Sequence, residues 1–269
     1  TTNLKLAGSY SLDNQILTFG YERDDLDVFN LFLQHLYGEN RFDEECGPAD
    51  PNGCIRAFLE GRPDDIYYGN ASPSLDPNDV AADWSYVINT VYGQDELILA
   101  DGALTLVVGL RYDWYESNDV PTANPNFFAR QGYTNALNFD GEDLLQPRFG
   151  LNWEINPDLN LRAGFGLFSG GNPNVWLSNN FSNDGITQVQ LREGVIESGA
   201  GVDFSLFDIP LGPDGNGLPG FDVPTAMINE IANQQGNSGV NALDPNFKVP
   251  SAWKYSIGAT WNFLDYYQL

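Results

Sequence analysis

Hydrophobic and polar residues alternate with a period of two through much of this chain. That spacing sends successive side chains to opposite faces of a β-strand. From Gln146 the sequence runs QPRFGLNWEI, with Phe149, Leu151, Trp153 and Ile155 on one side and Arg148, Gly150, Asn152 and Glu154 on the other. Asn156-Pro157-Asp158 supplies a tight turn. LNLRAGFGLF follows, with Leu159, Leu161, Ala163, Phe165 and Leu167 against Asn160, Arg162, Gly164 and Gly166. The pair predicts a β-hairpin with one apolar side. The same pattern recurs in LTLVVGLRYDWY, in SAWKYSIGATWNFL and, more briefly, in the two runs before residue 30. It predicts antiparallel strands at 2–12, 15–30, 84–99, 103–116, 145–155, 159–169 and 251–264, each beside its sequence neighbour. The run at 84–99 fits the alternation least well.

A soluble sandwich also alternates, but two further features favour a membrane barrel. The apolar faces carry aromatic residues near their ends (Tyr10, Trp114, Trp153, Trp253, Trp261), as expected of girdles at two membrane interfaces. The connections also alternate between tight turns, near 12–15, 100–103 and 156–158, and long polar stretches at about 36–83, 117–144 and 170–250. Short periplasmic turns and long extracellular loops give this rhythm, which compact soluble domains rarely show. The expected fold is all-β: an antiparallel up-and-down transmembrane β-barrel segment with long extracellular loops. Seven strands fall below the smallest closed barrel of about 8, so residues 1–269 read as part of a larger wall whose edges need further strands.

Composition refines this picture. A mean hydropathy of −0.30 looks ordinary, as it does for any barrel that averages lipid-facing and lumen-facing positions. No apolar run reaches the roughly 18 residues of a membrane-crossing helix. Twelve Lys+Arg against 37 Asp+Glu give a formal net charge of −25, which sets nucleic acid aside as a partner. Five of the 12 basic residues, Lys5, Arg111, Arg148, Arg162 and Lys254, fall out of phase with the apolar faces. Arg111, Arg148, Arg162 and Lys254 are therefore expected to face the lumen, since a lipid-facing cation at mid-bilayer would cost about 2–4 kcal/mol. The two cysteines, Cys46 and Cys54, bracket a polar stretch containing Pro48, Pro51 and Gly53. This suits a loop-pinning disulfide in an oxidising compartment, the alternative being two free thiols. The N-terminal TTNLKLAGSY is not a signal peptide, and the strand pattern suggests that the chain begins inside a longer protein.

Three phrases resemble TonB-dependent outer-membrane receptors, in particular the Oar-like group. LTFGYERDDLDVFNLF (Leu17–Phe32) is similar to the group's strand entering an extracellular loop. VYGQDELIL followed by LTLVVGLRYDWYE (Val91–Glu116) resembles its "YxQDxW … LTLxxGLRYD" hairpin, and LLQPRFGLNWEINPDLNLRAGFGLFSGG (Leu144–Gly171) resembles the next one. The resemblance implies a 22-strand barrel around an N-terminal plug, with uptake energised by the inner-membrane TonB complex. Plug, TonB-binding segment and closing strand do not appear in this sequence.

No catalytic constellation is present, and the chain is not expected to be an enzyme. The sole histidine, His35, sits among apolar residues, and the sequence offers no positioned partner that catalysis would need. Glycine-rich PLGPDGNGLPG lacks the lysine and strand-to-helix setting of a phosphate loop. No cofactor is expected. Asp76, Asp79 and Asp83, or Asp214 and Asn216, could hold calcium, although solvated acidic loops are the plainer reading. Ligand recognition is expected in the longest connection, where Trp176, Phe181, Phe204, Phe207, Phe221 and Met227 could build a packed cap. There, Ala226, Ile228 and Ile231 are spaced for a short helix that stops at Gly236. The expected function is an outer-membrane transport receptor whose partners are outer-membrane lipid, a plug and further strands, the TonB complex and an unidentified ligand. The alternative is a non-transporting surface β-protein for adhesion or carbohydrate binding.

Overall fold

The computed structural model describes residues 1–42, 47–48, 50–193, 205–208, 211–212, 223–234, 236–263 and 267–268. In chain order the elements begin with β1 (Thr2–Ser11), β2 (Gln15–Asn30), β3 (Glu39–Arg41), α1 (Gly53–Glu60), β4 (Asp65–Ala71) and β5 (Ala82–Leu99). β6 (Leu104–Glu116), α2 (Pro125–Gln131), β7 (Asp143–Asn156), β8 (Leu159–Ser169), α3 (Asn174–Ser182) and β9 (Gln188–Glu193) follow. The last are β10 (Leu211–Gly212), β11 (Val223–Pro224), α4 (Thr225–Ala232), β12 (Ser251–Phe263) and β13 (Tyr267–Gln268).

One antiparallel sheet of order β1-β2-β5-β6-β7-β8-β12-β13 forms a wall. Its first seven strands are those predicted by alternation, with ends within two residues. The short β13, pairing with Asn262 and Phe263, adds an eighth that alternation did not indicate. Tight turns close the hairpins at one end. At residues 100–102 the backbone takes positive φ at Ala100, Asp101 and Gly102, which reverses the chain within three residues.

Cross-strand register carries one face through every strand. A representative row on the apolar face reads Leu17, Asp95, Val108, Phe149, Phe165 and Tyr255. Five rows away the polar face holds Lys5, Glu22, Thr90, Asp113 and Leu144 in register. Lys5, Arg111, Arg148, Arg162 and Lys254 all share that polar face. The aromatic residues Tyr10, Trp114, Trp153, Trp253 and Trp261 all lie on the apolar one. They form two bands. Trp114 and Trp253 are near the end where the long connections leave, while Tyr10, Trp153 and Trp261 are near the tight turns. Trp253 and Trp261 are eight residues apart, about 27 Å along a strand, close to the roughly 25 Å apolar belt of a membrane barrel. Asp95 interrupts the belt, and its Oδ1 has no hydrogen-bond partner among the described residues.

β5 explains its own poor alternation. Below the row Arg23–Asn89–Trp114, its apolar residues Val91, Leu97 and Leu99 share the face of Leu110 and Phe149. Above that row the phase inverts. Trp84, Tyr86 and Ile88 are buried on the polar side of the wall, and the opposite face turns to Asp25, Asp27, Asp83 and Ser85. β5 spans 18 residues and β2 spans 16, whereas about 9–11 suffice to cross a bilayer. The excess rises beyond the apolar belt as a support for the connections.

A chain of polar contacts crosses the wall on its inner side. Lys5 Nζ meets Glu22 at 2.6 Å, Glu22 meets Arg111 at 2.8 Å, and Arg111 Nε meets Asp113 at 2.8 Å. Asp113, only 4% exposed, also accepts from Thr90 Oγ1 and Gln146 Nε2, and Gln146 accepts from the Ser169 N–H. Tyr92 lies beneath Lys5 and across Gly20, where a Cβ would come within 2.5 Å of the ring. Glycine is needed there for that close approach. Replacing Arg111 with Ala in the full-length protein would leave Asp113 without its cation. Such a loss costs about 3 kcal/mol, and urea unfolding in lipid vesicles should read it; an unchanged midpoint would mean that the chain of contacts is merely solvated.

Candidate functional site

The long connections fold inward over the polar side of the wall as a cap. Its first core stands on the inverted end of β5. Trp84 stacks on Tyr86 at 5.1 Å and on Phe181 of α3 at 5.8 Å, and Phe139 meets Trp84, Tyr86 and Tyr115 edge-on. Each anchor with a polar end also finds a partner in the third long connection. Trp84 Nε1 donates to Ser178 Oγ, and the hydroxyls of Tyr86 and Tyr115 donate to Asn174 and Asn172. Leu177 and Phe181, four residues apart on one face of α3, press against the wall.

A second core joins two long connections that lie far apart in sequence. β3, β4 and β9 form a three-stranded sheet, covered by α4 through Met227, Ile231 and, in part, Ile228. Fully buried Asp65 receives a two-pronged contact from Arg192 at 2.8 and 3.2 Å. Arg41 hydrogen-bonds Glu39 and holds its carboxyl below the usual carboxylate range, while His35 Nδ1 lies 2.7 Å from the same residue. Asn124, 2% exposed, ties three segments together. It caps α2 by accepting from the Phe127 N–H, and it donates to the carbonyls of Asp184 and Gly236.

A cleft of about 530 Å³ opens where α2, α3 and residues 240–247 converge. Phe127, Tyr133 and Trp176 line it beside Asn179, Asn241 and Asp244. With its amide oriented to suit both neighbours, Asn180 braces the floor, donating to the Trp176 carbonyl and accepting from the Leu243 N–H. Trp176 stands 58% exposed at the rim.

The residues expected from sequence to read a ligand are thereby separated. Trp176 reaches the cleft, whereas Phe181 is spent in the cap core. Phe207, 73% exposed, lies against Gly61 at the end of α1, away from the cleft. Phe204 and Phe221 lie outside the described residues. The helix anticipated around Ala226 exists as α4, but it turns Met227 inward and leaves Ala226 exposed, and it ends at Asn233 rather than Gly236. Phe127, Tyr133, Asn179, Asn241 and Asp244 carried no local signal, because three connections must converge before they share a surface.

Arg111 is neutralised within the transverse contacts. Arg148, Arg162 and Lys254 have no ion-pair partner among the described residues, and Arg148 and Lys254 both lie over the Phe168 ring, at 4.7 and 5.4 Å. Of the acids considered for calcium, Asp76 uses its carboxylate to receive Asn78, and Asp214 and Asn216 lie outside the described residues. Among the described residues no group of three or more His, Cys, Asp or Glu side chains could hold a metal ion. Cys54 lies in the first turn of α1, and Cys46 lies outside the described residues.

An antiparallel wall with one aromatic-belted apolar face, one polar face and a cap at one end defines an outer-membrane β-barrel protein. Residues 1–265 match the family described as "Outer membrane beta barrel domain", and the chain belongs to it. It is accordingly a protein of the outer membrane of a Gram-negative bacterium. No curated protein and no solved structure matches the chain.

Two outcomes test the cap. Trp84→Ala should remove about 3 kcal/mol of packing. Amide exchange in α3 should then quicken roughly hundredfold while that of β7 and β8 is retained; equal protection of α3 in both proteins would refute this anchoring. Denatured, non-reduced protein should take up no thiol label at Cys46 or Cys54, whereas labelling at both would rule out the disulfide expected between them.

Proposed function

We propose that this wall and cap belong to a TonB-dependent transport receptor, and that the cap holds the ligand before energised uptake. The observation that carries the reading is the inward fold of the cap over the polar face of the wall. A cap in that position stands between the outside and the lumen, where a decorative loop would instead project away from it. The three sequence phrases that resemble the Oar-like group point the same way.

In this reading residues 1–269 form part of a larger barrel. Strands of the parent chain complete the sheet beyond its β1 and β13 edges, because an open edge in hydrocarbon leaves backbone groups unsatisfied. Lipid covers the apolar face. Arg111, Arg148, Arg162 and Lys254 face the lumen, and a plug domain packs against that wall. The TonB complex acts through the parent chain. No catalytic step is involved, and no cofactor is required. The mixed aromatic and amide cleft also suits the second reading, a surface protein that binds carbohydrate or adheres without transporting.

Deleting residues 175–245 from the full-length receptor separates these outcomes. The barrel should still fold, shown by heat-modifiable migration on a gel, while ligand binding and uptake are lost. Uptake at the original rate would sink the proposal. Ligand binding to the intact receptor with no energised accumulation would favour the surface protein.

A further inference from the structure

We propose that the cleft between α2, α3 and residues 240–247 is a binding site for a neutral oligosaccharide; this rests on the reading of the cap as the ligand-holding part. The volume of about 530 Å³ lies in the range of small-ligand clefts, roughly 300–1,000 Å³. Its chemistry then narrows the occupant. Trp176 presents an indole that is more than half exposed, with Phe127 and Tyr133 packed edge to face at 5.3 Å nearby. Exposed aromatic rings offer a flat apolar surface to a partner of matching shape. Around them stand polar groups that no described residue uses. Among the described residues, the carboxamides of Asn179 and Asn241 and the hydroxyl of Tyr133 have no hydrogen-bond partner. Asp244 gives one oxygen, Oδ1, to the Asn246 N–H and keeps the other.

Carboxamides both donate and accept, and so does a phenol hydroxyl. A set of such groups beside an apolar platform complements a ring that carries C–H bonds on its faces and hydroxyls around its edge. An anionic ligand is disfavoured, because the lining holds no basic residue and includes Asp244, in a chain of net charge −25. A purely apolar ligand would strand the free amides. Asn180, with its amide turned so that it donates to the Trp176 carbonyl and accepts from the Leu243 N–H, ties the two sides of the cleft together.

The full-length protein in detergent, titrated calorimetrically with maltotriose, cellotriose and tri-N-acetylchitotriose, and separately with a neutral tripeptide, tests this. At least one trisaccharide should bind, and the tripeptide should not. Trp176→Ala should weaken that binding about thirtyfold, as expected for losing a central aromatic contact. Trp176→Phe should recover part of it, and Asn241→Ala should weaken it about tenfold. Trp176 is exposed, so its loss leaves the cap folded, which α3 exchange protection verifies. Binding of the tripeptide alone, silence of all three sugars up to about 10 mM, or sugar binding indifferent to Trp176→Ala would overturn the proposal. If uptake still depends on residues 175–245 in any of those cases, the receptor reading stands and only the ligand class falls.

Discussion

Hydrocarbon offers no hydrogen bonds, so each backbone N–H and C=O in the apolar belt must be satisfied by the neighbouring strand. That constraint fixes the register, and register fixes everything else about the wall. Because side chains alternate strictly, a slip of one residue would exchange the lipid face for the polar face along an entire strand. The rows from β1 to β12 show no such slip, apart from a local bulge between Glu154 and Asn156 next to a tight turn. Lys5, Glu22, Arg111, Asp113, Gln146 and Ser169 can therefore meet in a line across six strands. The line depends on register and, in turn, penalises its loss, since a shifted β6 would carry Arg111 into lipid.

The strands were legible in the sequence because their signal is local and repeats every two residues. β5 was the hardest to read for a physical reason visible at Asn89. Below it the apolar residues face lipid, and above it Trp84, Tyr86 and Ile88 face the cap, so no single phase describes the whole strand. The cap was legible only as a place. The packed third connection and a helix near Met227 could be anticipated from their composition. The ladder between β4 and β9 could not, because Ile66 and Glu193 become partners only once the intervening strands are in position. The candidate site shares that fate. Trp176 could be singled out as a large aromatic residue in a polar stretch, but Tyr133 and Asn241 owe their meaning to α2 and the 240–247 segment meeting α3.

Charge is divided between the two parts of the molecule according to their solvents. The wall places Lys5, Arg111, Arg148, Arg162 and Lys254 on the polar face, where Lys5 and Arg111 are paired and the other three are open to whatever occupies that side, while Arg23 stands on the opposite face beside Asp25 at the edge of the belt. The end of the wall beyond the apolar belt turns acidic through Asp25, Asp27 and Asp83. Inside the belt, Asp95 follows neither rule.

The ladder between β4 and β9 has a consequence for the order in which the molecule is made. Arg192 and Asp65 are 127 positions apart, and β5 to β8 lie between them. Hairpins of that wall can zip up from neighbouring residues, whereas closing so long a segment before the wall exists would forfeit far more chain entropy. Assembly is thus biased in time. The wall forms first and cap closure comes last, so the nascent barrel remains unobstructed while its strands enter the bilayer.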